Sequence, residues 1–398
     1  MEELLAHPLF PYVPPLLLTA AIILVFPLVA GYLVLAERKV LADLQVRLGP
    51  MRVGPYGLLQ PLADALKLML KEDVIPSKAD KWIFWLAPVL STFTALSAFA
   101  VLPLSDVLYV ADVNIGILFI LAMSSIGALG LILGGWSANS KYSLMGSLRA
   151  AAQMVSYEVP LGFATVTAIM CAGTLSMQGV IQSQLERGWW GAFDNYGLML
   201  IPAVMFIIAG TAETNRSPFD LPEAESELVA GFHTEYSGFR WALFFLAEYA
   251  AIVVISALCV TLFFGGWLRP FPNVAALEMP LNVIFPAVLF GAIALGCLKG
   301  VTRQVVFGFR IVMLALTGAF LAVGAVFMVP AVNELVIGLF WFMFKLAAMV
   351  YLFIWYRGTF PRFRYDQLMD VGWKWLIPIS MAGLILNGVV QLWVRGVV

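Results

Sequence analysis

The sequence predicts an all-α integral membrane protein, a polytopic bundle of about ten transmembrane helices with an amphipathic helix on the cytoplasmic side. Three observations carry that prediction. The 398 residues are 62% apolar and only 12% charged, where a soluble domain carries about 25% charged residues. Apolar runs recur at the length set by a hydrocarbon core of about 30 Å, roughly 20 residues per helical crossing. No stretch alternates in polarity over about ten residues, as the strands of a membrane barrel do. The runs are 16–36, 83–104, 113–135, 155–174, 197–212, 241–264, 281–298, 311–329, 336–356 and 375–394, the fifth and seventh being short.

The basic residues orient the bundle. With the N-terminus outside, the loops 37–82, 136–153, 213–240, 299–310 and 357–374 face the cytoplasm and hold 19 of the 23 Lys and Arg. The opposite loops hold Arg187, Arg269 and Arg395, and Lys345 lies inside a run. The positive-inside rule therefore puts both termini outside. A formal net charge of −1 points to no nucleic acid as partner. The first run has neither the basic flank nor the cleavage site of a signal peptide, so it reads as a retained span. Cys171, Cys259 and Cys297 stand singly in apolar stretches beside only two histidines, a pattern that points to no metal or iron–sulfur ligation.

The chain reads as one membrane domain over 1–398, and its informative parts are two polar loops. In the loop 37–82, Leu58, Leu62, Leu66 and Met69 recur at helical spacing while Asp64, Lys67 and Lys71 share the other side. This is either an interfacial helix with its apolar stripe on lipid or an ordinary amphipathic helix with Asp64 and Lys67 as a solvated pair. The loop 213–240 holds Glu213, Asp220, Glu223, Glu225, Glu227 and Glu235 against two arginines. Asp220 and Glu223, with Pro222 between them, mark a helix start that accounts for part of this acidity.

Charges within the apolar runs are harder to explain by packing. Glu158, Glu213, Glu248 and Lys345 lie inside or at the ends of spans, where a charge costs at least about 2.5 to 3.5 kcal/mol. Such groups face a partner, a cavity or an ion path, and carboxylates in a row form a proton relay. The competing reading is a set of fixed ion pairs, such as Lys345 with a glutamate. Prolines 27, 88, 160, 202 and 286 fall within spans and free backbone carbonyls, Pro160 next to Glu158.

These polar segments bring a family into view. AERK at 36–39, QVRLGP at 45–50, GPYGLLQPLADALKLMLKED at 54–73, SLRAAAQMVSYEVPLG at 147–162, AETNRSPFDLPEAESELVAGFHTEYSGFRWALFFLAEY at 212–249 and RGTFPRFRYDQLMDVGWK at 357–374 closely resemble the membrane component of respiratory complex I that adjoins its peripheral arm. That family is known as the H subunit of NADH–quinone oxidoreductase in bacteria and as ND-one in mitochondria. Two departures stand out: Met51 replaces the family's Asn, and residues 268–334 insert two additional spans between FFGGW and the Lys345-bearing run.

The resemblance implies a component that is not catalytic alone and that works in the bacterial inner membrane. Its substrate would be ubiquinone or menaquinone. FMN and iron–sulfur clusters would sit in partner subunits, among them the quinone-site subunits of the peripheral arm, and small membrane subunits would also adjoin it. It also implies a quinone chamber lined by Arg38, Asp64, Lys67, Arg216, Asp220, Glu223, Glu225 and Glu227, and a proton path through Glu213, Glu158, Glu248 and Lys345. The alternatives are the equivalent component of a membrane-bound hydrogenase or of a dehydrogenase fed by another donor, and a stand-alone transporter. The inverted repeats common in transporters are absent from the sequence.

Overall fold

A computed structural model describes residues 13–221, 229–304 and 306–394. Among these residues the secondary structure is helical throughout, and nine helices are long and apolar enough to cross a membrane. The first, α1 (Val13–Leu44), has 32 residues, about 48 Å at 1.5 Å per residue, and overshoots the hydrocarbon core. The predicted loop boundary at residue 37 is thereby corrected: Glu37, Arg38 and Lys39 ride on a continuing helix. Gly57 then turns the chain at φ +76°, where an added Cβ would lie 2.3 Å from the Pro50 carbonyl oxygen.

The predicted amphipathic helix is α2 (Gln60–Leu70), with Pro61 in its first turn, where no amide donor is needed. Pro61 packs beside Gly31 of α1, while Leu62, Leu66 and Met69 point outward. Next come α3 (Lys81–Ser97), capped by the Asp80 carboxylate on the amides of Trp82 and Ile83, and α4 (Gly116–Ser137). Gly127, Gly130 and Gly134 share one face of α4 and let it approach α3 closely. A Cβ on Gly130 would sit 2.1 Å from Ser91 Oγ, and one on Gly127 3.1 Å from Thr94 Oγ1. Small residues serve this purpose in membranes because apolar area does not drive helices together there.

After α5 (Lys141–Ala172) the chain forms α6 (Met177–Arg187), capped by Ser176 on the Gly179 amide, and then tight turns with left-handed Gly188 and Gly197. Those turns consume the start of the predicted fifth span. What remains is α7 (Leu200–Glu213), 14 residues or about 21 Å long, less than a full crossing. The centre of the bundle is α8 (Gly238–Phe263), buried continuously from Ile252 to Phe263. Thr92 of α3 donates to the Leu243 carbonyl of α8 over 2.9 Å.

The segment 268–334 contributes α9 (Phe285–Arg303) and α10 (Phe307–Val326), packed on each other and otherwise largely exposed. The pair meets the bundle where Phe285, Phe290 and Phe327 pack around Phe340 and Trp341 of α11 (Pro330–Thr359). It meets it again where Tyr56 reaches Gly300. The short α12 (Tyr365–Asp370) runs through a π turn into the last span, α13 (Ile377–Val394). Tyr157 of α5 donates to the Leu368 carbonyl over 2.8 Å and anchors that return.

Candidate functional site

At one end of the bundle, five side chains from four parts of the chain form one buried ionic network. Arg216 follows α7 in a turn with Asn215 at φ 50°. Gln153 of α5 fixes the turn by donating to the carbonyls of Ala212 and Phe219, each over 2.8 Å. The guanidinium is thereby aimed inward: Nη1 lies 3.0 Å from Glu37 Oε1 and Nε 2.9 Å from Glu248 Oε1. It also lies 4.6 Å above the Tyr249 ring, whose hydroxyl donates to Glu37. Arg357, at the end of α11, completes the set by pairing with Glu37.

Glu37 is 4% exposed and Arg216 5%. Ions so deeply buried persist only when matched, because the desolvation cost of each is several kcal/mol. Burial opposes the Arg216 charge, yet Glu248, Tyr249 and Glu37 outweigh it, and its pKa lies above the usual arginine range.

Glu248 faces two ways. On its other side lies a cavity of about 120 Å³, bounded by α3, α4, α7 and α8, with Glu213, Glu248, Ser124, Ser91, Thr94 and His233 among its polar lining and Trp241, Phe244 and Phe245 among its apolar lining. Since one water needs about 10 to 15 Å³ of such space, there is room for several. Ser91 Oγ and Glu213 Oε2 are buried there without a protein hydrogen-bond partner among the described residues, which makes them anchors for water. Burial pulls the His233 pKa down to about 4, so its ring is neutral at pH 7.

At the cavity wall Ser124 donates to Glu213, and the next residue, Ser125, bonds to Glu158 of α5. The acidic groups therefore form a row: Glu37 and Glu248 around Arg216, then the cavity, then Glu213, the serine pair and Glu158.

The profile of a known family, described as NADH dehydrogenase, matches residues 17–388. The chain belongs to that family. Among its relatives, the second form of the NADH-quinone oxidoreductase H subunit of Solibacter usitatus is 61% identical over 392 residues, covering 98% of this chain and 99% of the relative. The first form of the H subunit of Koribacter versatilis is 51% identical over 394 residues, with 95% and 92% covered. The H subunit of Rickettsia prowazekii is 41% identical over 387 residues, with 97% and 96% covered.

In this member of the NADH dehydrogenase family, the residues expected to matter divide into groups. Glu158, Glu213, Glu248 and Arg216 come together as described. Arg38 and Asp64 meet at 2.8 Å on the partly exposed face between α1 and α2, and Gln60 also holds Asp64, at 2.9 Å. Lys67, one turn further along α2, is exposed. Asp220 pairs with Arg362 at 3.0 Å rather than with Arg216; burial raises its pKa while Arg362 opposes the shift. Glu223, Glu225 and Glu227 lie within 222–228, outside the described residues, and so does the helix expected to follow Asp220.

Lys345 stands apart from the row. Its Nζ donates to the carbonyls of Phe264 and Leu268 over 2.7 and 2.8 Å and lies 5.1 Å from the Trp190 ring centroid. The Lys345–glutamate pair of the competing reading is not formed among the described residues: the cation caps the C-terminal end of α8, where carbonyls and the helix dipole favour it. From Glu248 to Phe264, α8 rises about 24 Å.

Glu37, Tyr249, Arg357, Ser124 and Ser125 belong to this candidate site by their contacts and are missed by the sequence reading. The charges that follow Glu37 give it the look of a loop residue. The signal for the serines is present, since two adjacent hydroxyls interrupt the apolar run of α4.

Proposed function

We propose that this chain forms the membrane wall of the quinone chamber in an NADH–quinone oxidoreductase, and that it passes charge from that chamber into the membrane through Glu248, Glu213 and Glu158. The observation that carries this reading is the unbroken sequence of polar groups from the Arg216 network, across a cavity large enough for water, to Glu158. Family membership supports a quinone, ubiquinone or menaquinone, as substrate. It also supports other subunits of the same complex as partners, with flavin and iron–sulfur clusters held by them.

Quinone reduction takes up two electrons and two protons, so charge appears transiently in a medium that screens it weakly. Arg216 is the natural receiver of that change, because it touches two carboxylates on different helices. Charge arriving beside Arg38, Asp64, Lys67, Asp220 or the acids 223–227 alters how Arg216 divides itself between Glu37 and Glu248. Glu248, when released, takes a proton from water in the cavity, and Glu213 and Glu158 continue the transfer. Lys345 serves this reading as a brace for α8. Residues 268–334 read as an insertion at the edge of the bundle, in a multi-pass protein of the bacterial inner membrane with both termini outside.

Glu213→Gln in the assembled complex tests the reading. It keeps the hydrogen bond from Ser124 and removes the exchangeable charge. The expected result is at least a hundredfold loss of proton-coupled quinone reduction, the scale of a lost proton-transfer group, with complex assembly intact. Normal turnover and normal proton pumping in this variant would overturn it.

A further inference from the structure

Two of the bonds in the row are made by neighbours on one helix. Ser124 and Ser125 reach carboxylates that belong to different helices, Glu213 at the end of α7 and Glu158 in the middle of α5. The two hydroxyls are not equivalent. Ser124 lies on the cavity side, whereas Ser125 Oγ has a second potential acceptor, the Leu121 carbonyl one turn back, at 3.1 Å. A serine hydroxyl has one proton to donate and two lone pairs to accept with.

The direction of the Ser125 bond therefore depends on Glu158. When Glu158 is ionised it can only accept, and Ser125 donates to it, leaving Leu121 without that proton. When Glu158 is protonated its own O–H donates to Ser125 Oγ, and the serine proton turns to Leu121. Both arrangements satisfy every group, and one rotation about the Cβ–Oγ bond separates them. The position of α4 that this requires is held by the glycine face: Gly127 and Gly130, within the next two turns, seat the helix against Thr94 and Ser91 of α3.

We propose that Ser124 and Ser125 are positioning residues of the proton row, Ser124 holding the Glu213 carboxylate toward the cavity and Ser125 acting as a two-position hydroxyl that follows the protonation of Glu158. This rests on the reading above that Glu213 and Glu158 exchange protons. Ser125 is neither the source nor the destination of the proton. It supplies a donor to the charged form and an acceptor to the neutral form, so that neither state of Glu158 leaves a polar group unmatched in the membrane.

The test compares Ser125→Ala, Ser125→Cys and Ser125→Thr in the intact complex in membrane vesicles, measuring quinone reduction, proton uptake per quinone and the rate ratio in light and heavy water. A hydrogen bond to a charged group corresponds to roughly a tenfold rate effect or somewhat more. Ser125→Ala and Ser125→Cys are expected to slow proton-coupled turnover about tenfold and to enlarge the solvent isotope effect, leaving KM for quinone unchanged. Ser125→Thr keeps the hydroxyl and is expected to stay within about twofold of the parent. Should Ser125→Ala fail to assemble, the contrast between the similarly sized Ser125→Cys and the bulkier Ser125→Thr decides the same question.

Parental rates in both Ser125→Ala and Ser125→Cys would overturn the proposal, and so would a threonine variant as slow as the cysteine one, since that pattern reports packing. Glu213→Gln separates the two levels. If it is inactive while the serine variants are normal, the proton row stands and the serine device falls; if it pumps normally, both fall.

Discussion

Arg216 and Lys345 are both buried cations of one bundle, but they are neutralised in opposite ways. Arg216 lies among titratable partners, two carboxylates and a tyrosine, drawn from α1 and α8. Lys345 lies among backbone carbonyls and an indole face, none of which can change charge. A cation held by carboxylates changes its surroundings whenever one of them takes a proton. A cation held by carbonyls is a fixed clamp. Burial ranks the two alike, at 5% and 7% exposed, and it is the chemistry of their partners that tells them apart.

The largest effect should come from breaking the switchable side. Arg216→Ala leaves Glu37 and Glu248 facing each other with Arg357 as the remaining cation, and removing one partner of a buried pair costs about 3 to 5 kcal/mol. The expected outcome is a lowered thermal midpoint of the complex together with loss of quinone reduction. An assembled, active Arg216→Ala complex would show that the network does not govern the site.

A third base sharpens the contrast, because His233 lines the cavity with no charge at pH 7. Its pKa drops from 6.5 to about 4 on folding. The sign follows: the folded state disfavours the imidazolium, so the associated stability is complete above pH 6.5 and is lost as pH falls toward 4. This amounts to about 3 kcal/mol across the window. His233→Gln should flatten the acid limb of a denaturation midpoint measured against pH, and an unchanged slope between those pH values would count against the buried neutral ring.

The smallest effect on turnover belongs to the clamp. Lys345→Met removes two hydrogen bonds from a charged donor, each worth about 1.5 to 3 kcal/mol, so the expected variant melts earlier yet pumps the same number of protons per quinone. A changed proton ratio at full assembly would move Lys345 into the row and erase the comparison.

Much of this was legible from sequence because lipid imposes a simple constraint on length and polarity. Glu158, Glu213 and Glu248 stand out by interrupting apolar runs, and the crossings are visible as runs of the right length. Their partners are not legible. Arg216 and Glu37 are 179 positions apart, and no local pattern reports that pairing. Glu37 is hidden for a second reason: the charges of AERK resemble the start of a loop, whereas the helix continues and turns the glutamate inward. The fifth span looks longer than α7 because apolar composition over 197–212 says nothing of the left-handed turn at Gly197 that delays the helix. Lys345 invites an acidic partner, since side-chain chemistry can be read from a sequence but the free carbonyls at the end of a neighbouring helix cannot.

The first helix combines two properties that have a mechanical consequence when taken together. Only 11% of its apolar window is buried within this chain, so most of its length is open to lipid or to neighbouring subunits, yet near its other end Glu37 is tied into Arg216, Arg357 and Tyr249. A rod free along its shaft and pinned at one tip carries any tilt of the shaft to the pinned ions. Whatever covers the shaft therefore has a mechanical route to this charge network.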